Sequence, residues 1–401
     1  MLRTMFSREK TGLIALFCKV YELRDDPAGR RNLALEIQED LLRRVARTER
    51  RIRSSRAEIR LIKATLATKG LDKSAARDLK QRIADNIEYV ALCKRRLQLC
   101  GDVGDAVGFI YADRWDVKPL SNREKAGFLT GKCGARLERA VLRKIFESGR
   151  AAILNDLTNS FRFGDLTVFF EEGGFRIVEV KTGRGGKYSR RKRQMKAINE
   201  VMGYIVTDER NTDNGKYFRR ATHQAPTYHV DAINRLLSSL GPRGWLHEEV
   251  EPGLHYFVID VRSETPMDEV LSPIALTQCR PMMIFSNDLK YQGCSYYPFL
   301  LSFKDPEIAF RFYNGDVVIV VAVAMVHVSN VLAARDWKVH VTEELDMHWE
   351  LEWTGKGEQV WDNNRVSVGA HMIGRLGGEF LSLDWFLGNV THMAADIATL
   401  C

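Results

Sequence analysis

Two acids and a lysine bracket a pair of short apolar segments in the stretch GDLTVFFEEGGFRIVEVKTGRGG, which begins at Gly164. The β-branched and aromatic runs on either side of EEGG are typical of two strands joined by a short hairpin loop. Asp165 opens the first strand, and alternate residues of the second place Glu179 and Lys181 on the apolar face of Phe175. A carboxylate and an ammonium at the end of a buried strand suit a site that binds a cation and a phosphate.

The position of Asp165 relative to Glu179 depends on the length of the hairpin loop. A four-residue turn that pairs Phe170 with Phe175 would place Asp165 opposite Val180 and away from Glu179. A slip of one residue, or a bulge, would place it opposite one of the two charged residues on the same face. The functional interpretation therefore predicts an odd-length loop or a bulge.

An amphipathic helix is predicted on each side of the hairpin. The upstream segment GARLERAVLRKIFESG forms an apolar stripe at helical spacing, and Glu138 falls in the middle of it. An acid there is unfavourable unless it is paired or binds a metal, so Glu138 is either a core-edge residue bridged to an arginine or a metal ligand. The downstream segment SRRKRQMKAINEVMGYIV predicts a helix with Gln194 at the edge of its inward face.

The order of these parts resembles the PD-(D/E)xK nuclease superfamily, which has the restriction-endonuclease-like fold. Asp165 stands where the family has its first acidic motif, although glycine replaces the preceding proline, and the EVK sequence ending at Lys181 matches the E-x-K motif in full. Gln194 and Tyr204 are similar to the glutamine and tyrosine of one branch of the superfamily, in which they are usually closer together. The resembling segment covers residues 134–206, roughly a fifth of the chain.

The resemblance implies a metal-dependent nuclease, for which carboxylate and carbonyl oxygens are suitable Mg²⁺ or Mn²⁺ ligands. The expected ligands are Asp165, Glu179, the Val180 carbonyl and Glu138. Lys181 would orient or help deprotonate the attacking water, or stabilise charge developing at phosphorus. Gln194 would position water or nucleic acid. The expected catalytic residues are therefore Asp165, Glu179, Lys181 and Gln194.

A basic stretch follows the E-x-K motif at a glycine-rich loop and helix start. Its members are expected to bind backbone phosphates of nucleic acid: Arg184, Lys187, Arg190, Arg191 and Arg193. A phosphate-binding loop of the nucleotide-binding type is excluded, because TGRGGKYS lacks the required spacing and Tyr188 occupies the Ser/Thr position. The alternative for these basic residues is a solvated surface.

Composition limits the classes of protein to which the chain can belong. It has 401 residues, 45% apolar content, and 60 Lys and Arg against 52 Asp and Glu, for a formal charge of +8. These values predict a globular protein with an anionic partner, nucleic acid rather than a membrane. The nuclease interpretation favours DNA over RNA as that partner. Seven cysteines without a C-x-x-C pair indicate reduced thiols in the cytoplasm. The apolar run starting at Val317 is too short and β-branched for a membrane-spanning helix, so a buried strand or a core helix is expected.

Residues 30–100 are rich in Arg, Lys, Glu, Leu and Ile and predict long helices. Apolar residues recur every seven positions in two series that are separated at Gly70: Val45, Ile52, Ile59 and Leu66, then Ala76, Ile83, Val90 and Leu97. This pattern favours an antiparallel coiled-coil hairpin, which could serve a homodimer or a partner protein. Its arginine-rich outer face could contact nucleic acid, a partner or only water.

The expected fold is therefore mixed α/β, with an N-terminal α-helical coiled-coil hairpin in residues 1–100 and a linker in 101–133. A restriction-endonuclease-like αβββαβ core is expected in 134–210, and a mixed α/β region of unknown role in 211–401. The favoured function is a metal-dependent endonuclease or exonuclease, with restriction or defence against phage suggested by analogy alone. The alternative is a nucleic-acid-binding or scaffold protein that does not cut.

Overall fold

The chain divides into two compact units, Met1–Phe218 and Arg219–Cys401. The structure is a computed structural model, and it describes the following residues: 9–68, 71–121, 127–132, 134–181, 188–212, 215–218, 224–263, 265–275, 281–292, 297–342, 348–355 and 365–398. The protein is mixed α/β, with an N-terminal helical region and several small antiparallel sheets.

Three helices build the N-terminal part of the first unit: α1 (Lys10–Asp25), α2 (Arg31–Leu66) and α3 (Lys73–Tyr111). Ile52 of α2 packs with Val90 and Cys93 of α3, and nearer the connection Arg82 donates to Glu58 at 2.7 Å. This order of contacts makes the two long helices antiparallel, so the predicted helical hairpin is confirmed. The residue predicted to join them, Gly70, lies outside the described residues.

Helix α3 continues eleven residues beyond position 100, so the predicted linker is helical where it begins. The glycines that suggested a linker form a stripe on which residues 157–161 lie. A Cβ added to Gly104 would come within 2.1 Å of the Leu157 carbonyl oxygen, and one added to Gly108 within 2.3 Å of the Phe161 ring. These glycines therefore do not interrupt the helix. They lack a side chain, which lets residues 157–161 pack closely against it. A short helix, α4 (Arg114–Ser121), follows.

The elements around the hairpin occur in the predicted order of helix, three strands, helix and strand. They are α5 (Ala135–Glu147), β1 (Ala152–Leu154), β2 (Leu166–Phe169), β3 (Phe175–Val178), α6 (Tyr188–Thr207), β4 (Glu209–Thr212) and β5 (Gly215–Phe218). Strands β1, β2 and β3 form an antiparallel sheet in that order, and residues 155–157 form a 3-10 turn after β1. In the described part of the chain, β4 pairs with β5 in a separate two-stranded sheet and does not extend the first sheet.

The helical hairpin and the three-stranded sheet are joined by buried polar side chains. Gln38 of α2 is fully buried; its amide donates to the Ala152 carbonyl at 2.9 Å and accepts from the Leu154 N–H at 2.8 Å. The side chain thus satisfies the backbone of edge strand β1 as a neighbouring strand would. Truncating it would leave buried backbone groups unsatisfied, at a cost of about 1–3 kcal/mol. The predicted boundaries at residues 100 and 134 therefore fall inside one compact unit.

The second unit contains two antiparallel sheets. The first has the order β6-β7-β9-β8 and the second the order β10-β11-β12. Their strands are β6 (Trp245–Glu251), β7 (Leu254–Asp260), β8 (Met282–Phe285), β9 (Val317–Val323), β10 (Trp337–Thr342), β11 (His348–Trp353) and β12 (Arg365–Val368). The Val317 run is the central, largely buried strand β9, in agreement with its continuous apolar sequence.

Nine helices accompany these sheets in the described part of the second unit. They are α7 (Val230–Ser238), α8 (Met267–Ala275), α9 (Ser286–Gln292), α10 (Phe299–Ser302), α11 (Pro306–Asn314), α12 (Met325–Ala333), α13 (Ala370–Ile373), α14 (Arg375–Gly378) and α15 (Leu383–Ala398). Within the described residues, no helix combines the length and the apolar character needed to cross a membrane.

Candidate active site

The hairpin loop between β2 and β3 has five residues, 170–174. Phe169 pairs with Phe175 and Leu166 pairs with Val178, so one further step in the same register places Asp165 opposite Glu179. Gly173 and Gly174 have φ values of 93° and 79°, a left-handed conformation that glycine adopts readily. The predicted odd-length loop is confirmed, and the two acids lie across from each other where the ladder ends.

Asp165 is held at the end of the ladder by both its backbone and its side chain. Its N–H donates to the Val178 carbonyl at 2.9 Å, and its carboxylate accepts from the Val180 N–H at 2.6 Å. Burial raises the pKa of the Asp165 carboxyl; the Val180 N–H opposes this, and the negative charge of Glu179 adds to it. A positive charge near Asp165 would therefore stabilise its ionised carboxylate.

Gly164 explains why this chain departs from the proline of the family motif. Its φ is 69°, and a Cβ at this position would lie 2.5 Å from Ile177 Cγ2 and 2.9 Å from the Val178 carbonyl oxygen. Proline is fixed near φ −65° and cannot adopt this conformation, and any other side chain meets both strain and overlap. Glycine thus sets the direction from which Asp165 enters the ladder.

Lys181 links the end of the hairpin to helix α6. Its ammonium is hydrogen-bonded to Glu179 Oε1 and donates to Gln194 Oε1 at 3.1 Å. The Glu179 side chain is 7% exposed and that of Lys181 is 41% exposed, so the acid faces inward while the ammonium reaches solvent. Three of the four predicted catalytic residues are therefore in direct contact, and Asp165 lies opposite one of them.

Glu138 lies in the first turn of α5, half-buried. Burial raises the pKa of its carboxyl, and the charges of Asp165, Asp156 and Glu179 raise it further. The charges of the hairpin carboxylates therefore act on Glu138, and we include it with them in the candidate site. The N-terminal end of a helix is also a favourable place for a negative charge.

Asp156 and Lys132 are members of the site that sequence analysis missed. They form an ion pair with each other, and the charge of Asp156 raises the pKa of both Glu138 and Asp165. Asp156 is placed by the turn after β1, where the Asn155 N–H donates to the Asp165 carbonyl at 3.0 Å. Neither residue lies in a motif, since only the folded chain brings them to the hairpin.

The chemistry of this group of acids suits a hard divalent cation. Glu138, Asp165 and Glu179 supply carboxylate oxygens. Burial raises the pKa of the first two, and the negative charge of Glu179 adds to both shifts, an effect that a bound cation would offset. Val180, predicted to contribute its carbonyl, directly follows Glu179 and donates its N–H to Asp165. Among the described residues, no three His, Cys, Asp or Glu side chains are already gathered into a metal-binding cluster.

The predicted phosphate-binding residues are only partly described. Arg184 and Lys187 lie outside the described residues. Arg190 and Arg191 belong to α6, but their side chains are outside the described part of the structure, and Arg193 is exposed on the same helix. Their contact with phosphates therefore stays a prediction.

Comparison with known proteins identifies no relative. No protein-family model matches the chain, and no curated protein or solved structure matches it either.

Proposed function

We propose that this chain is a metal-dependent nuclease that hydrolyses phosphodiester bonds of nucleic acid, DNA in preference to RNA. The hairpin and its flanking helices, within residues 134–210, would form a restriction-endonuclease-like core. The observation that carries the proposal is the five-residue loop, which places Asp165 opposite Glu179. A four-residue turn with the same sequence would have separated the two acids.

The contacts of Lys181 support the proposal further. A lysine that only solubilised a strand end would extend into water, whereas Lys181 bonds both an inward-facing acid and the glutamine of the next helix. An ammonium between a carboxylate and an amide is held in position, and catalytic groups require such positioning. The helix with Glu138 and the helix with Gln194 lie on either side of the hairpin in sequence, as the family motif requires.

The proposed chemistry follows from the charge of the substrate. A phosphodiester is anionic and repels the attacking hydroxide. Mg²⁺ or Mn²⁺ held by Glu138, Asp165, Glu179 and the Val180 carbonyl would supply Lewis-acid stabilisation and lower the pKa of bound water. Lys181 would hold the attacking water or donate to an oxygen on which charge develops. Gln194, through its contact with Lys181, would keep the ammonium directed at the reacting group.

A cleavage panel tests the proposal. Wild-type protein is incubated with supercoiled plasmid, linear duplex, single-stranded DNA and RNA, each with Mg²⁺, Mn²⁺ or EDTA. We expect cleavage of DNA with either metal and none with EDTA. Absence of cleavage of every substrate would leave the alternative function, a nucleic-acid-binding or scaffold protein that does not cut.

A further inference from the structure

A groove of about 460 Å³ lies between helix α2 and helix α5. Its floor includes Leu42 of α2 and Leu142 of α5, which are both buried. Its walls are dominated by arginine, with three from α2 and two from α5: Arg43, Arg47, Arg50, Arg139 and Arg143. The groove therefore combines a closed apolar floor with a concentrated positive rim.

Acids within the protein neutralise only part of this positive charge. Glu39, the one acid among the described residues that line the groove, accepts from Arg143 at 2.7 Å, and Asp40 accepts from Arg43 at 3.4 Å. The other three arginines, Arg47, Arg50 and Arg139, are exposed and have no ion-pair partner among the residues that the structure describes. Like charges three and four positions apart on a helix destabilise it, so an external anion would relieve the repulsion.

The spacing of the arginines matches a polyanion better than a single small anion. Positions 43, 47 and 50 lie on α2 at intervals of four and three residues, which correspond to about 6 Å and about 4.5 Å along the axis. Phosphates of one DNA strand rise by about 3.4 Å each along the duplex axis. A row of three guanidinium groups over about 10 Å therefore spans about three phosphate-to-phosphate steps of one strand, and each group can donate two parallel hydrogen bonds to a phosphate.

The groove lining favours a duplex over a single strand. Proteins that bind single strands use aromatic side chains on which bases stack, in addition to a basic groove. The described residues that line this groove are arginine, leucine, alanine and glutamate, with no aromatic ring among them. Such a surface recognises the phosphate backbone and is insensitive to base sequence.

The groove lies next to the candidate active site. Leu142 of its floor is four residues after Glu138 on α5, about 6 Å along the helix axis. A backbone bound along the groove would thus run toward the group of acids. Helix α5 contributes Glu138 to one site and Arg139 and Arg143 to the other.

We propose that the groove between α2 and α5 binds the phosphate backbone of duplex DNA and guides it to the carboxylates around Glu138. The binding itself needs no cleavage, but the guiding role depends on the proposed nuclease function. The helical hairpin then has a part in substrate binding, and the arginines of α2 contact phosphates as well as water.

A binding experiment in EDTA tests this proposal without cleavage. The triple variant Arg47→Ala/Arg50→Ala/Arg139→Ala is compared with wild type by fluorescence anisotropy, on a 25-base-pair duplex and on a single strand of the same length. We expect the duplex Kd to rise by tenfold or more. The slope of log affinity against log salt should become shallower by about 0.9 for each phosphate that the variant no longer binds.

A matched control separates the groove from the overall charge. Arg60→Ala/Arg77→Ala/Lys80→Ala removes the same three charges from exposed positions of the helical hairpin outside the groove. We expect this control to change the duplex Kd much less than the groove variant. Thermal unfolding of both variants checks that the fold persists, as expected for exposed side chains.

Three results would overturn the proposal: an unchanged duplex Kd and salt slope, equal losses in groove and control variants, or an equal loss of single-strand and duplex binding. Failure of this proposal and failure of the proposed function are distinguishable. A wild-type protein that cuts DNA while the groove variant binds normally refutes the groove alone. If the wild-type protein cuts no substrate but the groove variant loses duplex binding, the groove proposal is supported and the nuclease proposal is refuted.

Discussion

Lys181 donates a hydrogen bond to Gln194 across 3.1 Å, which joins the end of strand β3 to helix α6. The same ammonium bonds Glu179, so a carboxylate, an ammonium and an amide form a continuous chain of contacts. Because the carboxylate side chain is nearly buried and the ammonium is half-exposed, the chain leads from the interior to the surface. A substrate arriving from solvent would meet Lys181 first, which makes this residue the most direct test of the site.

Replacing Lys181 by methionine keeps the length and apolar stem of the side chain but removes its charge. We expect cleavage to fall by about 10²- to 10⁴-fold, the usual contribution of a positioned proton-transfer group. Metal binding measured by calorimetry should stay near the wild-type value, since the proposed metal ligands do not include the ammonium. Lys196→Met, at an exposed position of α6, is the control and should cut normally. Joint loss of metal affinity and cleavage would show that Lys181 serves folding or ligand placement instead.

Replacing Asp165 by asparagine separates cutting from binding. The amide oxygen can still accept from the Val180 N–H, so the β2–β3 hairpin should keep its structure while the negative charge of the proposed metal ligand is removed. We expect cleavage to fall by orders of magnitude, whereas affinity for DNA in metal-free buffer should hold or rise because a charge that repels phosphate is gone. Glu172→Gln, an exposed acid in the loop of the same hairpin, should cut as wild type does. Comparable cleavage by Asp165→Asn would make the acid structural.

Replacing Gly164 by alanine tests how the backbone positions Asp165. The left-handed conformation alone costs a non-glycine residue about 1–2 kcal/mol, and the new Cβ would also overlap Ile177 and the Val178 carbonyl. Gly173→Ala is the matched control, because it too has a positive φ but its Cβ would meet nothing within 4 Å. Urea unfolding should therefore show a larger loss of stability for Gly164→Ala. Equal losses would mean that close approach at Gly164 has no special role.

The sequence predicted those parts of the fold whose signals are local. Heptad spacing predicted the α2–α3 hairpin. A continuous β-branched run predicted a buried strand or a core helix, and residues 317–323 of that run form buried strand β9. Alternation in the EVK segment placed Glu179 on the buried face of its strand, and helical spacing placed Glu138 on the apolar face of its helix. In each case a repeat of seven, two or 3.6 residues determines which side chains share a face of the helix or strand. Tertiary packing then buries that face.

Other parts of the site depend on contacts that no local pattern contains. The residues EEGG are compatible with a four-residue or a five-residue loop between β2 and β3. A shift of one residue in strand pairing changes the face of the sheet on which Asp165 lies, so the sequence alone does not determine the register. Asp156 and Lys132 meet only through the turn after β1 and the segment before α5. The glycines of α3 suggested a linker because glycine is common in loops, whereas here they admit a packed segment.

Asp105 provides a test of the contact between α3 and the segment before β2. Its carboxylate is buried and accepts from the N–H groups of Asn159 at 3.0 Å and Ser160 at 2.8 Å. Burial raises its pKa from 3.8 to about 6, against the opposing effect of these two hydrogen bonds. The folded state therefore binds this proton more tightly than the unfolded state does.

Because of this difference in proton binding, the free energy of unfolding of the wild type should fall as the pH rises. The stabilising contribution of the proton on Asp105 is fully present below about pH 4 and is lost as the pH rises through about 6. Asp105→Asn stays neutral throughout, so its free energy of unfolding relative to wild type should increase between pH 4 and pH 7. The increase should approach about 3 kcal/mol, from about 1.4 kcal/mol per pKa unit. Urea unfolding of both proteins at pH 4, 5, 6 and 7 measures this, with Asp78→Asn, an exposed acid of the same helix, as the control. A difference that stays constant with pH would show that Asp105 is charged in the folded protein, with its two N–H donors outweighing burial.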